Sequence, residues 1–121
     1  MTHTGRIMTA TATLPLSPVV RMPAAELLLL SGQVAEPELL VADARAQTRS
    51  VLRRLAAVLE AEGRTLRDVV RVGVYLRDMG DFAAVNEAYR EFFSAPFPAR
   101  TTVGVAALPF GARVEMDAVA R

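Results

Sequence analysis

The sequence predicts an α+β domain in the order β-β-α-β-α-β-β, with two helices packed on one face of a mixed sheet. Three observations predict it. Apolar residues recur at three- and four-residue steps in two separate stretches, a strictly alternating stretch lies between them, and short apolar runs bounded by Gly and Pro flank both. The chain has 121 residues, 52% of them hydrophobic, and no cysteine. A single domain of this size buries roughly two-thirds of its unfolded surface and builds a core without disulfide or metal support.

Residues 1–13, rich in Thr and Ala, carry no apolar pattern and are expected as a flexible arm, which leaves 14–121 as one domain. Pro15 and Pro18 bracket a turn, and 19–22 reads as a short first strand before Met22-Pro23. Residues 27–33 form a continuous apolar run closing in Ser31-Gly32-Gln33, expected as a strand buried on both faces. From 38 to 62 the period turns helical. Val41, Ala44, Thr48, Val51, Leu52, Leu55, Val58 and Leu59 share one stripe, while Arg45, Arg49, Arg53 and Glu60 lie off it. Gly63 suits a left-handed C-cap, and Thr65 with Asp68 suits the start of a single helical turn.

Val69 to Leu76 alternates, with Val70, Val72, Val74 and Leu76 on one face and Arg71, Gly73, Tyr75 and Arg77 on the other. Phe82, Val85, Asn86, Tyr89, Phe92 and Phe93 mark one stripe of a second helix, ended by the segment 94–98. Residues 100–107 and 112–121 read as two strands joined in a hairpin by Pro109-Phe110-Gly111. Right-handed crossovers place both helices on one face of the sheet. Val69, Gly73, Gly104 and Ala106 are then expected on the other. A semi-apolar face without a second layer predicts a homo-oligomer, with clefts between subunits as the natural ligand sites.

Composition narrows the chemistry. All 14 basic residues are Arg, and the single His is His3. Without Cys, Lys or an internal His, the chain assembles no structural zinc site, no Cys-His pair, no Ser-His-Asp triad, no Schiff base and no phosphate-loop lysine. The 13 acidic residues show no calcium-loop spacing, so neither metal nor cofactor is expected. A net charge of +1 gives no electrostatic footprint for nucleic acid. The longest apolar stretch, 24–34, is broken by Glu26, Ser31 and Gln33 and falls short of the roughly 20 residues of a membrane span. No membrane partner and no secretory signal are expected, and the cytoplasm is the expected compartment. What remains is a reaction that positioned charge and an activated water can perform.

Five positions carry the candidate chemistry. Arg100 stands at a loop-to-strand junction after Pro96 and Pro98, where a stiff base lets a guanidinium grip a planar carboxylate; a solvated charge or a salt bridge is the plainer reading. Glu115 alternates onto the face opposite the helices, where a carboxylate is functional, protonated, or paired with Arg113 or a neighbouring Arg. Asn86 interrupts an apolar stripe and needs a partner, most simply a nearby backbone group. Ser31 and Gly32 expose backbone donors after an apolar strand. Tyr89 reads as core.

The segments Ser31-Gly32-Gln33, Gln47-Thr48-Arg49, Asp68-Val69-Val70, Asp81-Phe82-Ala83-Ala84-Val85-Asn86, Phe92-Phe93, Pro98-Ala99-Arg100 and Val114-Glu115-Met116 together resemble the RidA family (YjgF/YER057c/UK114) over about residues 15 to 120. The resemblance implies a chorismate-mutase-like fold and a homotrimer with ligand clefts between adjacent subunits. It also implies hydrolysis of reactive enamines and imines to 2-keto acids and ammonia, a role in metabolite damage control. Arg100 matches the family's carboxylate-gripping arginine, and Glu115 the glutamate that orients water. Ser31, Gly32, Asn86 and Thr102 match cleft-lining, substrate-binding positions. Two departures stand out: the stretch 16–20 lacks the tyrosine of many deaminating members, and Thr101 and Thr102 replace a frequent Ser and an occasional Cys.

Two functions from different classes follow. One is a deaminase acting on small carboxylate imines, the other a non-catalytic sensor of 2-keto acids, or a partner-binding protein, using the same cleft. Ribonuclease or chaperone activity, attached to some relatives, ranks third because the basic patch and the usual His or Lys acid-base groups are missing.

Overall fold

A computed structural model describes residues 14–17, 20 and 26–121 of the chain. The expected arm at 1–13 lies outside the described residues, as does the expected strand at 19–22 apart from Val20. The described elements are β1 (Leu28–Gln33), α1 (Ala44–Ala61), β2 (Val69–Leu76), α2 (Phe82–Tyr89), β3 (Ala99–Gly104) and β4 (Val114–Ala120). Among the described residues the strands form one four-stranded mixed sheet in the order β1-β4-β2-β3. Strand β4 runs antiparallel to both β1 and β2, and β3 runs parallel to β2. This is the α+β, chorismate-mutase-like architecture expected, with one correction of connectivity.

The correction concerns the expected hairpin between the last two strands. Strands β3 and β4 lie on opposite sides of β2 and do not pair. A two- to five-residue hairpin loop holds its strands adjacent, whereas the segment 105–113 is long enough to pass over the end of β2. Within it Pro109–Gly111 forms a tight 3₁₀ turn, with Phe110 in the left-handed region at φ 59°.

Helix α1 starts later than its periodicity suggests. Asp43 accepts a hydrogen bond from the Ala46 backbone N–H at 2.9 Å and caps the helix. Pro37–Leu39 forms a separate 3₁₀ turn, which leaves Val41 outside the stripe and 95% exposed. At the other end Gly63 (φ 73°) donates to the Glu60 carbonyl and Arg64 donates to the Leu59 carbonyl, the paired bonds of a Schellman stop. The Thr65–Asp68 capping box forms as expected. Helix α2 ends at Tyr89, but further turns carry Phe93 back onto Tyr89, ring centroids 4.6 Å apart.

The core lies between the helices and one face of the sheet. Val51, Leu52, Leu55 and Leu59 of α1 and Val85 and Tyr89 of α2 meet Val72, Val74 and Leu76 of β2 and Val114 and Met116 of β4. Outside it, α1 is tied by ion pairs to α2, from Arg45 to Glu87, and to the turn after α2, from Arg49 to Glu91 at 2.8 Å. Strand β1 is not buried on both faces as expected: Leu30 is buried, whereas Leu29 is 77% exposed and Ser31 and Gly32 are open. It is an edge strand whose outer face no other described element covers. Two residues expected on the open face lie elsewhere. Val69 belongs to the core, and Gly104 pairs with Leu76 and lies beneath Met79.

Candidate active site

Register decides where each candidate side chain points. Arg100 and Thr102 of β3 pair with Val72 and Val74, whose side chains face the helices. Glu115 and Asp117 of β4 pair with Tyr75 and Gly73, on the opposite face. In one chain, therefore, Arg100 and Glu115 lie on different sides of the sheet.

On the helix side, Arg100 is drawn almost wholly inside, 9% exposed. Its Nε donates to Thr102 Oγ1 at 2.9 Å, and one terminal nitrogen donates to Asn86 Oδ1 at 2.5 Å. Asn86 thus binds the arginine rather than a backbone group. The guanidinium carbon lies 4.8 Å from the Tyr89 ring centroid and 5.7 Å from that of Phe82, within cation–π range of both. The other terminal nitrogen, Nη1, is buried with no hydrogen-bond partner among the described residues. No described carboxylate lies within ion-pair distance of Arg100, so the plain salt-bridge reading does not hold.

Burial lowers the pKa of Arg100 from its ordinary value, with Tyr89 acting the other way. Burial drives the Tyr89 phenol well above the ordinary tyrosine range, opposed by the charge and polar contact of the neighbouring guanidinium, which lies close to the hydroxyl without forming a well-aligned hydrogen bond. A buried cation with an unmade hydrogen bond and no counter-ion is costly, the orphan donor alone by about 1–3 kcal/mol. A planar carboxylate matches the geometry of a guanidinium, but Nη1 presents no accessible surface within one chain, so a ligand would meet it only if the side chain opened toward a neighbouring surface.

On the open side, the Glu115 carboxylate rests directly over Gly32, where any Cβ would overlap its Oε2. The irregular pairing of β1 between Leu30 and Gln33 places Ser31-Gly32 beside β4. The expected Arg113 partner is committed elsewhere, to Asp81 at 3.2 Å, and Glu115 makes no ion pair with a described residue. The structure therefore brings together Arg100, Asn86 and Thr102 as one cluster, and Glu115 and Gly32, with Ser31 adjacent, as a second. It does not bring the two clusters together within a chain.

Sequence reasoning missed Phe82 and Tyr89 as partners of Arg100. The signal was their spacing: Phe82, Asn86 and Tyr89 fall at i, i+4 and i+7, one face of α2, and the crossover from α2 into β3 sets that face over the start of β3. The described residues contain no group of three or more His, Cys, Asp or Glu able to hold a metal ion. They also contain no helix long and apolar enough to cross a membrane.

Residues 7–121 match the family model described as Endoribonuclease L-PSP. Protein DfrA of Myxococcus xanthus is 44% identical over 110 residues, covering 88% of this chain and 84% of that protein. A 2-iminobutanoate/2-iminopropanoate deaminase of Dermatophagoides farinae is 42% identical over 94 residues, 74% of this chain and 73% of that protein. The crystal structure of RidA from an Antarctic Psychrobacter superposes with a TM-score of 0.74 at 35% identity, covering 88% of this chain and 92% of the other. Sequence, sheet order and these likenesses agree, and the chain belongs to the RidA (YjgF/YER057c/UK114) family.

Proposed function

We propose that the protein hydrolyses reactive 2-enamine and 2-imine acids to 2-keto acids and ammonia, in clefts shared by adjacent copies of a homotrimer. The orphan Nη1 of the buried, counter-ion-free Arg100 carries this reading. The substrate carboxylate completes that hydrogen-bonding set, Asn86 and Thr102 hold the guanidinium in place, and Ser31 and Gly32 line the cleft around Glu115. Relatives named as imine deaminases support the reaction class.

The opposed faces of Arg100 and Glu115 support the shared cleft, because both groups reach one small substrate only if each comes from a different chain. The open face supports it too: Leu29 at 77% and Val103 at 41% exposure leave apolar surface for another copy to cover.

The chemistry suits the residues present. An imine carbon is already electrophilic. Glu115 takes a proton from the water adding to C2 and passes it to the nitrogen, giving an amine on a tetrahedral carbon. Glu115 then takes the remaining hydroxyl proton and delivers it to the amine, so ammonia leaves as the C2 oxygen becomes the carbonyl. Atoms balance as imine plus water giving keto acid plus ammonia, and positioning and proton transfer supply the rate. No resident cofactor takes part. We place the activity in the cytoplasm, the compartment that a cysteine-free sequence suits.

The test generates 2-aminoacrylate or 2-aminocrotonate in situ and follows keto-acid release. Wild type accelerates it, and Arg100→Ala at unchanged oligomeric mass loses at least about 100-fold. Equal rates in the two proteins overturn the assignment. Tight binding of 2-keto acids without turnover replaces it with a metabolite sensor.

A further inference from the structure

The open face of β4 carries two carboxylates two residues apart, Glu115 and Asp117, and they lean in opposite directions. Glu115 rests over Gly32 of β1, and Asp117 over Gly73 of β2, where a Cβ would overlap its Oδ1. Because β4 lies between β1 and β2, the paired glycines let the two acids diverge. Tyr75, the cross-strand partner of Glu115, reaches past it to donate its hydroxyl to Asp117 Oδ2 at 3.0 Å.

This arrangement bears on which acid exchanges protons. Carboxylates at i and i+2 on one face of a strand stand roughly 7 Å apart. Two negative charges at that spacing repel each other, and a flexible pair has no fixed division of roles. A phenol donating to one of them makes a charge-assisted bond that fixes the acid and draws off part of its charge.

We propose that Tyr75 and Asp117 form a positioning pair for Glu115: by holding the Asp117 carboxylate over Gly73, they leave Glu115 as the one acid of this face free to take and return a proton. The inference rests on the proposed role of Glu115 in water activation. The other described groups facing Glu115 fit. From β2 and just past its end come Arg71, two residues before Gly73, and Arg77, which donates to the Gly111 carbonyl; from β4, Arg113, bound to Asp81; and from β1, the uncharged Ser31 and Gly32. The Tyr75 phenol is raised above its ordinary pKa, first by its bond to Asp117, so it remains a donor at neutral pH.

The experiment measures kcat/KM for imine hydrolysis against pH in the assembled wild type, Tyr75→Phe, Asp117→Asn, the double variant and Glu115→Gln. The acid limb of the profile reports the free enzyme's base. Tyr75→Phe frees the Asp117 charge and moves that limb up by roughly half a pH unit; Asp117→Asn removes the charge and moves it down by a similar amount. The double variant follows Asp117→Asn alone, because the phenol then has no carboxylate to hold. Shifts of the two single variants in the same direction, or none, with Glu115→Gln inactive, overturn the positioning pair and leave the role of Glu115 standing. Full activity in Glu115→Gln overturns that role itself, and the pair with it. Asp117→Asn is isosteric and keeps the comparison decisive where Tyr75→Phe folds poorly.

Discussion

The Tyr89 ring lies 4.8 Å from the guanidinium carbon of Arg100, and neither the Tyr89 hydroxyl nor Arg100 Nη1 has a hydrogen-bond partner among the described residues. The ring therefore holds the cation by its face, and the two polar groups lie close together without a well-aligned hydrogen bond. A cluster built this way gives up stability to keep a cation inside.

Tyr89 also sets an alkaline limit on stability. Its folded pKa is raised by burial above the ordinary 10.0, so above about pH 10 the unfolded chain loses a proton that the native chain keeps. That part of the stability is fully present below the unfolded pKa and is lost as pH climbs toward the folded one. Denaturant titrations from about pH 8 to about pH 11.5 should show a falling midpoint in wild type and a shallower fall in Tyr89→Phe. An identical slope in the two proteins would exclude Tyr89 as the source of the alkaline loss.

Removing one member of the Arg100 cluster should cost more than removing two. Arg100→Met strands Asn86 Oδ1 and is expected to destabilise by about 1–3 kcal/mol, whereas Arg100→Met with Asn86→Leu should recover wild-type stability or exceed it. Urea midpoints at neutral pH decide between this and simple additivity.

Gly32→Ala should leave the fold intact and damage the chemistry. Gly32 does not have a positive φ, so alanine is compatible with the backbone, and the atoms it would meet belong to the movable end of Glu115. We expect thermal midpoints within a few degrees of wild type and kcat lower by about 10²–10⁴-fold, with KM changed less. A loss confined to KM would place Gly32 in binding rather than in orienting Glu115.

Two inactive variants should rescue each other. Subunits bearing Arg100→Ala and subunits bearing Glu115→Gln, unfolded together and reassembled, should form some clefts with an intact arginine from one chain and an intact glutamate from the next. With random mixing these amount to about a quarter of all clefts. Activity absent from the mixture, with mixed oligomers verified by mass, would show that both groups serve from a single chain.

Much of this architecture was legible in the residues. Val72–Leu76 alternates because β2 is a central strand with one core face, and the strand's bounds follow the pattern, while a register shift between Val69 and Arg71 turns Val69 inward against the alternation. Gly63 and the Thr65–Asp68 box mark their turns because only local backbone geometry is at stake there. Glu115 fell on its expected face for the same reason of strict alternation.

What escaped depended on partners distant in sequence. Val41 matches the helical period, yet Asp43 caps the helix after it, and a period alone does not choose between caps. In β3 hydropathy points Val103 inward and Arg100 outward, whereas the register with β2 does the reverse. Pairing of β3 with β2 rather than β4 was equally unreadable, since an apolar strand does not encode its neighbour. The burial of Arg100, central to the site, is the product of that pairing.

The thickness of one β-sheet between Arg100 and Glu115 turns abundance into a control of the proposed enzyme. Newly made subunits would fold with sound interiors and remain idle until they met others, so turnover would climb more steeply than linearly with the amount of protein at low titre. Extreme dilution would then silence the catalyst while leaving every polypeptide native.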